Sequence, residues 1–254
     1  MPSGIGPQCL EPLSLEGFNH YLSNSVMYAC VLQSSLSLLL MDGVGMSTSS
    51  SDMANATQRY MARIHGMPLL FPESRLTAQL RLSGLSDEEI MEHVYVNNSF
   101  QFPTRRKIRG VTRVILSRLD ALSPELLKVL AHGPSDLARI TLVYAIMKTD
   151  KLFRDFVSVV YMPAARITSG QIERSDVDAF FRMLAEQDEN VASWSEKTIE
   201  KLKQTAVKML ADAGLIDSTR ARHVQHPILS QEFRALLKAA GDSAYIEVLT
   251  GGDV

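Results

Sequence analysis

One window of the sequence concentrates positive charge in a way that suits an anionic ligand. Residues 104–119 contain six basic side chains and no acidic one: Arg105, Arg106, Lys107, Arg109, Arg113 and Arg118. On a helix, the apolar residues of this window share one face, while Arg106, Arg109 and Arg113 gather on the opposite face. Clustered like charges repel one another, and a polyanion both removes that repulsion and releases its own counterions. The window therefore predicts a phosphate-binding helix face, with a solvated face as the alternative.

A second basic helix is predicted over residues 194–213. Its apolar residues form an unbroken stripe, and the side chains opposite the stripe are Lys197, Lys201, Gln204 and Lys208. Ser193 and Glu196 have capping-box spacing, and Gly214 marks the C-terminal end. With the basic stretch 220–223 behind it, the helix is typical of the recognition helix and wing of a winged helix-turn-helix. An exposed helix whose lysines aid solubility is the alternative.

From residue 52 onward the sequence pattern is predominantly helical. Capping residues and prolines predict helices at 74–83, 87–95, 104–120, 123–131, 134–148, 150–161, 175–186, 194–213 and 228–239. Strand-like alternation is confined to residues 222–226 and 244–249, which are predicted to pair as a small β-wing. The predicted fold class is all-α, with two packed helical modules and a winged-helix-like C-terminal part that carries the wing.

The charges are segregated along the chain, and this division defines the predicted domains. The formal net charge of −2 divides into −4 for residues 1–58, +4 for residues 59–131 and −2 for residues 132–254. The first segment is interpreted as an acidic N-terminal extension, with Met53 and Met61 as alternative natural starts. The second is predicted to be an N-terminal helical domain with the basic helix, and the third a C-terminal helical domain. The overall negative charge therefore does not exclude a nucleic-acid partner.

No membrane span is expected from residue 52 onward, because no uncharged stretch there approaches ~20 residues. Residues 21–41 are uncharged but contain Asn24, Gln33 and several serines, and no Lys or Arg flanks them. A buried or partner-packed helix is therefore favoured over a membrane span for that stretch. Cys9 and Cys30 are the only cysteines, too few for a disulfide framework or a zinc site, so a cytoplasmic location is expected.

Catalytic signatures are absent from the sequence, and the protein is expected not to be an enzyme. The glycines of residues 43–45 lack the third glycine and the following helix of a nucleotide-binding loop. His223 and His226 could face one metal ion, but a zinc site needs at least three protein ligands. No catalytic residue, cofactor or metal is therefore predicted.

Several sequence blocks together resemble one protein family. The blocks are LLFPESRLTAQLRLSGLSDEEI, NNSFQFPTRRKIRGVTRVILSRLD, LVYAIMKTDKLFRDFV and WSEKTIEKLKQTAVKMLADAGLI. In this order they are similar to BrxA, the small helical component of the BREX bacteriophage-exclusion systems of bacteria. The resemblance covers roughly residues 59–240, whereas the first 50-odd residues depart from the family pattern. The inner-membrane label sometimes given to this family disagrees with the lack of a predicted span from residue 52 onward.

The resemblance implies a non-catalytic, two-module helical protein that binds double-stranded DNA. It also implies action beside the other BREX proteins, which include a methyltransferase, an alkaline-phosphatase-like protein and an ATPase. Two alternatives stay open. The protein could be a scaffold of the defence complex that does not bind DNA, or an RNA binder, since some members of the family look similar to the helical factor NusB.

Overall fold

The structure, a computed structural model, describes residues 59–167 and 169–252 of the chain. A 3-10 helix, Ala62–His65, comes first. The α-helices are α1 Phe71–Leu82, α2 Asp87–Asn97, α3 Arg105–Leu119, α4 Pro124–His132, α5 Ser135–Thr149, α6 Lys151–Phe156, α7 Met162–Ala165, α8 Arg174–Gln187, α9 Glu189–Ala192, α10 Glu196–Ala213, α11 Gln231–Ala239 and α12 Ser243–Thr250. A π-helical stretch, Val157–Tyr161, joins α6 to α7. The all-α prediction is confirmed.

Side-chain caps explain where the two basic helices begin. The Thr104 hydroxyl accepts a hydrogen bond from the Lys107 amide at the start of α3. Helix α10 begins two residues later than its predicted cap implied, because Ser195 accepts from the Thr198 amide. Ser193 lies instead at the C-terminal end of α9, where its hydroxyl donates to the Asn190 carbonyl at 2.6 Å. A Ser or Thr oxygen in this position pairs with one of the amides that a helix leaves unsatisfied.

Helix α5 lies at the centre of the molecule and positions both basic helices. Nine of its fifteen residues are buried, including the consecutive run 140–147. A helix that is buried all round belongs in the core of a protein. Both α3 and α10 pack against α5. One hydrophobic core extends from Ile64 to Leu249, so the two predicted modules share buried contacts. The module boundary near residues 131–134 stays a prediction.

The predicted strand at residues 244–249 is wrong, because this stretch is helical. Helix α12 buries Tyr245, Ile246 and Leu249, which share one helical face as well as an alternating pattern. The Tyr245 ring meets the Tyr144 ring edge to face, with the centroids 5.2 Å apart. Gly251 ends the helix at φ 79°, a left-handed conformation that glycine adopts without steric cost.

Residues 222–226 therefore have a different partner from the predicted one. Two isolated antiparallel bridges occur here, Gln171 with His223 and Ile216 with Val224. The Gly170 carbonyl also accepts a hydrogen bond from the Val224 amide at 2.8 Å. Across residues 59–167 and 169–252, β pairing is limited to these bridges and no extended wing is present.

The described part of the chain contains no helix that is both long and apolar enough to span a membrane. The acidic extension 1–58, with the uncharged stretch 21–41, lies outside the described residues.

Candidate nucleic-acid interface

Helix α3 separates its apolar and basic residues onto opposite faces. Ile108, Val111 and Ile115 are fully buried, and the helix packs against α1, α2 and α5. Five of the six predicted cations are exposed, and they form what we call the α3 face: Arg105, Arg106, Lys107, Arg109 and Arg113. Four of these cations, all arginines, line a shallow depression together with Gly110. The helix therefore has the predicted basic face, with five of the six predicted residues on it.

Aromatic rings, not carboxylates, contact three of the five cations of the α3 face. The Arg105 and Arg109 guanidinium carbons lie 4.7 and 4.3 Å from the centroid of the Tyr95 ring. Arg105 also donates to the Tyr95 carbonyl, and the Lys107 ammonium lies 4.3 Å from the Phe102 ring centroid. A cation stacked on a ring is oriented without losing its charge.

The charge of the α3 face is uncompensated within the described ranges. None of the ion pairs formed by residues 59–167 and 169–252 involves one of its five cations. The contacts of Tyr95 and Phe102 with these cations were not predicted from the sequence, because aromatic residues do not appear in a charge pattern. They follow from the packing of α2 and the loop 98–104 beside α3.

Arg118 does not belong to the α3 face, and the prediction that it contacts phosphate is wrong because the residue is buried. The residue is 4% exposed, and its guanidinium donates to the carbonyls of Met67, Pro68 and Leu69 at 2.7, 3.0 and 3.2 Å. Burial lowers the pKa of Arg118 to about 10, an effect that Asp150 opposes. Arg118 therefore remains a cation, and its guanidinium holds the backbone of residues 67–69 in place. Arg118 follows buried Val111 by seven residues, which is two helical turns, so it lies on the apolar face of the helix. The sequence alone could have predicted its burial from this spacing.

The predicted cations of α10 are also exposed, opposite a buried stripe that includes Leu202, Ala206 and Met209. Three of the four predicted residues line a groove beside the N-terminus of α8, while Lys197 lies outside it. We call this the α10 groove, and its basic lining residues are Arg174, Lys201, Lys203, Lys208 and Arg222, accompanied by polar residues that include Gln204. The sequence prediction missed Arg174, because only the packing of α8 on α10 brings it to the groove.

Carboxylates partly neutralise the α10 groove. Its lining has five basic and two acidic side chains, and both acids bond to Lys203. Lys208 contacts both carboxylate oxygens of Asp212 at 2.8 Å. Exposed pairs of this kind contribute little to stability, but each places a negative charge where a phosphate would approach. The groove is therefore positive but less so than its cations alone imply.

The turn 217–223 closes one end of the groove. The Asp217 amide donates to the His223 carbonyl at 2.9 Å, and the Gln225 amide donates to the Leu215 carbonyl at 2.9 Å. The hydrogen bond from the His223 ring at 3.0 Å is the main reason that the pKa of Asp217 is lowered. His223 thus contacts a carboxylate, and the described residues contain no cluster of three metal-ligating side chains.

A third cleft lies beside the α3 face. Its lining includes Arg63 of the 3-10 helix, Arg113, Ser117, Arg118 and Asp150. Burial raises the pKa of Asp150, against the lowering effects of the Phe153 amide and the two nearby arginines Arg118 and Arg63. The Asp150 carboxylate accepts the Phe153 amide at 3.0 Å and so caps α6. The sequence prediction did not include Arg63.

Comparison with known proteins gives consistent similarities. A sequence model of the BrxA family matches residues 58–241. The chain is 30% identical over 195 residues to the BREX protein BrxA of Bacillus cereus (strain H3081.97), covering 76% of this chain and 98% of that protein. It is 25% identical over 205 residues to the BREX protein BrxA of Escherichia coli O9:H4 (strain HS), covering 81% and 96%.

The fold is similar to the crystal structure of an uncharacterized protein from Magnetospirillum magneticum. The TM-score is 0.66 at 24% sequence identity, and the match covers 77% of this chain and 100% of that chain. At this level of identity the likeness concerns the fold alone.

Proposed function

Because the chain belongs to the BrxA family of BREX phage-defence proteins, we propose that it is a non-catalytic component that binds double-stranded DNA. The observation that carries the proposal is the α3 face, with five exposed cations and no acidic partner within the described residues. Guanidinium groups match phosphate oxygens in geometry and stay charged at every physiological pH. A phosphate backbone is the ligand class that such a surface favours.

The proposed binding by the α3 face tolerates many DNA sequences. Phosphate contacts fix the position of a protein on a duplex but do not read bases. Five phosphate contacts would give a slope of log K against log salt of about −4.5. The stacking of Arg105 and Arg109 on Tyr95 supports the proposal, since it orients two of the cations before any ligand arrives.

We propose the α10 groove as the second contact. In chain order the bridge residue Gln171 precedes α8 and α10, and Ile216, a turn and His223 follow them. Gln171, before the two helices, pairs with His223, after them. A winged helix has the same connectivity, since its first strand pairs with its last. This order supports α10 as a recognition helix and 217–223 as a short wing. The separate helix α9 between α8 and α10 makes this a longer connection than the usual tight turn.

Duplex binding measured across a range of salt concentrations tests the proposal. Reversing Arg106, Arg109 and Arg113 to Glu is expected to flatten the salt slope by two to three units, at about 0.9 per contact. A matched control reverses Lys128, Arg182 and Lys238 to Glu, three exposed cations outside both surfaces with the same change in net charge. Duplex binding that is unchanged in the first variant, or equally weakened in both, contradicts the proposal.

A scaffold role is the second candidate, because membership of the BREX family supports contacts with other BREX proteins. The same uncompensated cations would then meet an acidic protein surface. This alternative predicts stable co-purification with such a partner and no duplex binding near physiological salt. Competition between duplex DNA and structured RNA separates an RNA binder from both, since A-form helices are recognised by shape and 2′-hydroxyl groups.

A further inference from the structure

The segment 59–69 runs between α9 and α3, and its first part is tied to α9. The Arg59 guanidinium donates to Asn190 Oδ1 at 3.2 Å, and Asn190 Nδ2 donates to the Tyr60 carbonyl at 2.9 Å. Asn190 lies on α9, which leads into α10 and its exposed Lys197. The 3-10 helix Ala62–His65 then packs against α10 through buried Ile64.

The last part of the same segment is tied to α3. The buried Arg118 guanidinium holds three consecutive carbonyls, those of residues 67–69. The side chain of Leu69 is 2% exposed. A Cβ atom placed on Gly110 would lie 3.6 Å from Met67 Cε, so the segment also touches the middle of α3. Each end of the segment therefore has a fixed attachment.

Arg63 projects from this segment beside the α3 face. It is exposed, belongs to no ion pair within the described residues, and lines the same cleft as Arg113. Asp150 is the single acid of that lining, and its carboxylate is already used by the Phe153 amide. With Arg118 at the same cleft, the lining has three arginines and one carboxylate, which favours an anion.

We infer that Arg63, carried by the segment 59–69, extends the α3 face as a further phosphate contact, because it shares its cleft with Arg113, which also lines the depression of the α3 face. The inference rests on the proposed function and adds a contact residue to it. It predicts that Arg63 behaves as one more member of the α3 face, although it lies on a different element.

The test uses the full chain and a duplex of about 24 base pairs, roughly two turns. Binding is measured by fluorescence anisotropy between about 50 and 200 mM salt for Arg63→Gln, Arg113→Gln and the control Lys238→Gln. Arg63→Gln and Arg113→Gln are each expected to reduce the salt slope by about 0.9, and Lys238→Gln to leave it unchanged. Circular dichroism checks that each variant retains its helices.

The outcomes separate this inference from the proposed function. If Arg113→Gln reduces the slope and Arg63→Gln does not, the inference is overturned while the proposed function stands. If the unmodified protein does not bind the duplex even at low salt, both are overturned. A loss of binding to an acidic protein in Arg63→Gln, with duplex binding unchanged, also overturns the inference.

Discussion

The α3 face and the α10 groove both expose cations, but their partners differ. In the α3 face three of the five cations lie on the rings of Tyr95 and Phe102, which orient them and leave their charge intact. In the α10 groove, Lys203 and Lys208 already contact carboxylates. Equal numbers of cations therefore do not make equal binding surfaces. The α3 face suits the proposed sequence-tolerant phosphate binding. The groove also has polar side chains such as Gln204, whose amide is of the type that hydrogen-bonds to base edges.

The largest expected effect is on the free energy of unfolding, and it distinguishes buried Arg118 from the exposed arginines of the same helix. Arg118→Met should lower the free energy of unfolding by about 3 kcal/mol, because three carbonyls lose a charged donor. Arg113→Met, at an exposed position, should change it by no more than about 0.5 kcal/mol. Urea denaturation measures both. If the two variants are equally stable, the buried role of Arg118 is wrong.

A carboxylate substitution tests the difference between the two surfaces directly. Asp212→Asn removes the partner of Lys208 and should make the salt slope steeper by up to about 0.9, because one more cation is free to contact phosphate. Asp120→Asn serves as the control, since Asp120 pairs with Arg81 outside both surfaces. A slope that does not change in Asp212→Asn would mean that the groove does not contact DNA.

The smallest effect concerns the ring beneath the α3 face. Tyr95→Leu removes the surface on which Arg105 and Arg109 stack, and should weaken duplex binding a few-fold, since exposed cation–π contacts contribute about 0.5–1 kcal/mol. The salt slope should stay the same, because no charge is lost. Tyr95→Phe retains the ring and should bind like the unmodified protein. A change in slope would show that Tyr95 does more than position arginines.

Local signals predicted the helices well. The structure has Arg105–Leu119 where 104–120 was predicted and Ser135–Thr149 where 134–148 was predicted. Capping residues and prolines act within one turn, so a short sequence window contains the information. The exposed side of each basic helix followed from the 3.6-residue period in the same way.

Tertiary packing decided what the sequence could not predict. The alternation in 244–249 suits both a strand and a helix, and contacts with α5 favour the helix. Arg63 and Arg174 join the basic surfaces only because their elements pack beside α3 and α10. Arg118 is the exception, since its helical phase already placed it among apolar residues.

Arginine footprinting tests directly whether the α3 face binds duplex DNA. The full chain is treated with an arginine-specific dicarbonyl with and without duplex DNA, and modification is read by mass spectrometry. DNA is expected to protect Arg106, Arg109 and Arg113, while Arg166, which pairs with Glu247 outside both surfaces, is modified equally in both samples. Equal modification of the α3 arginines with and without bound duplex would contradict binding by the α3 face.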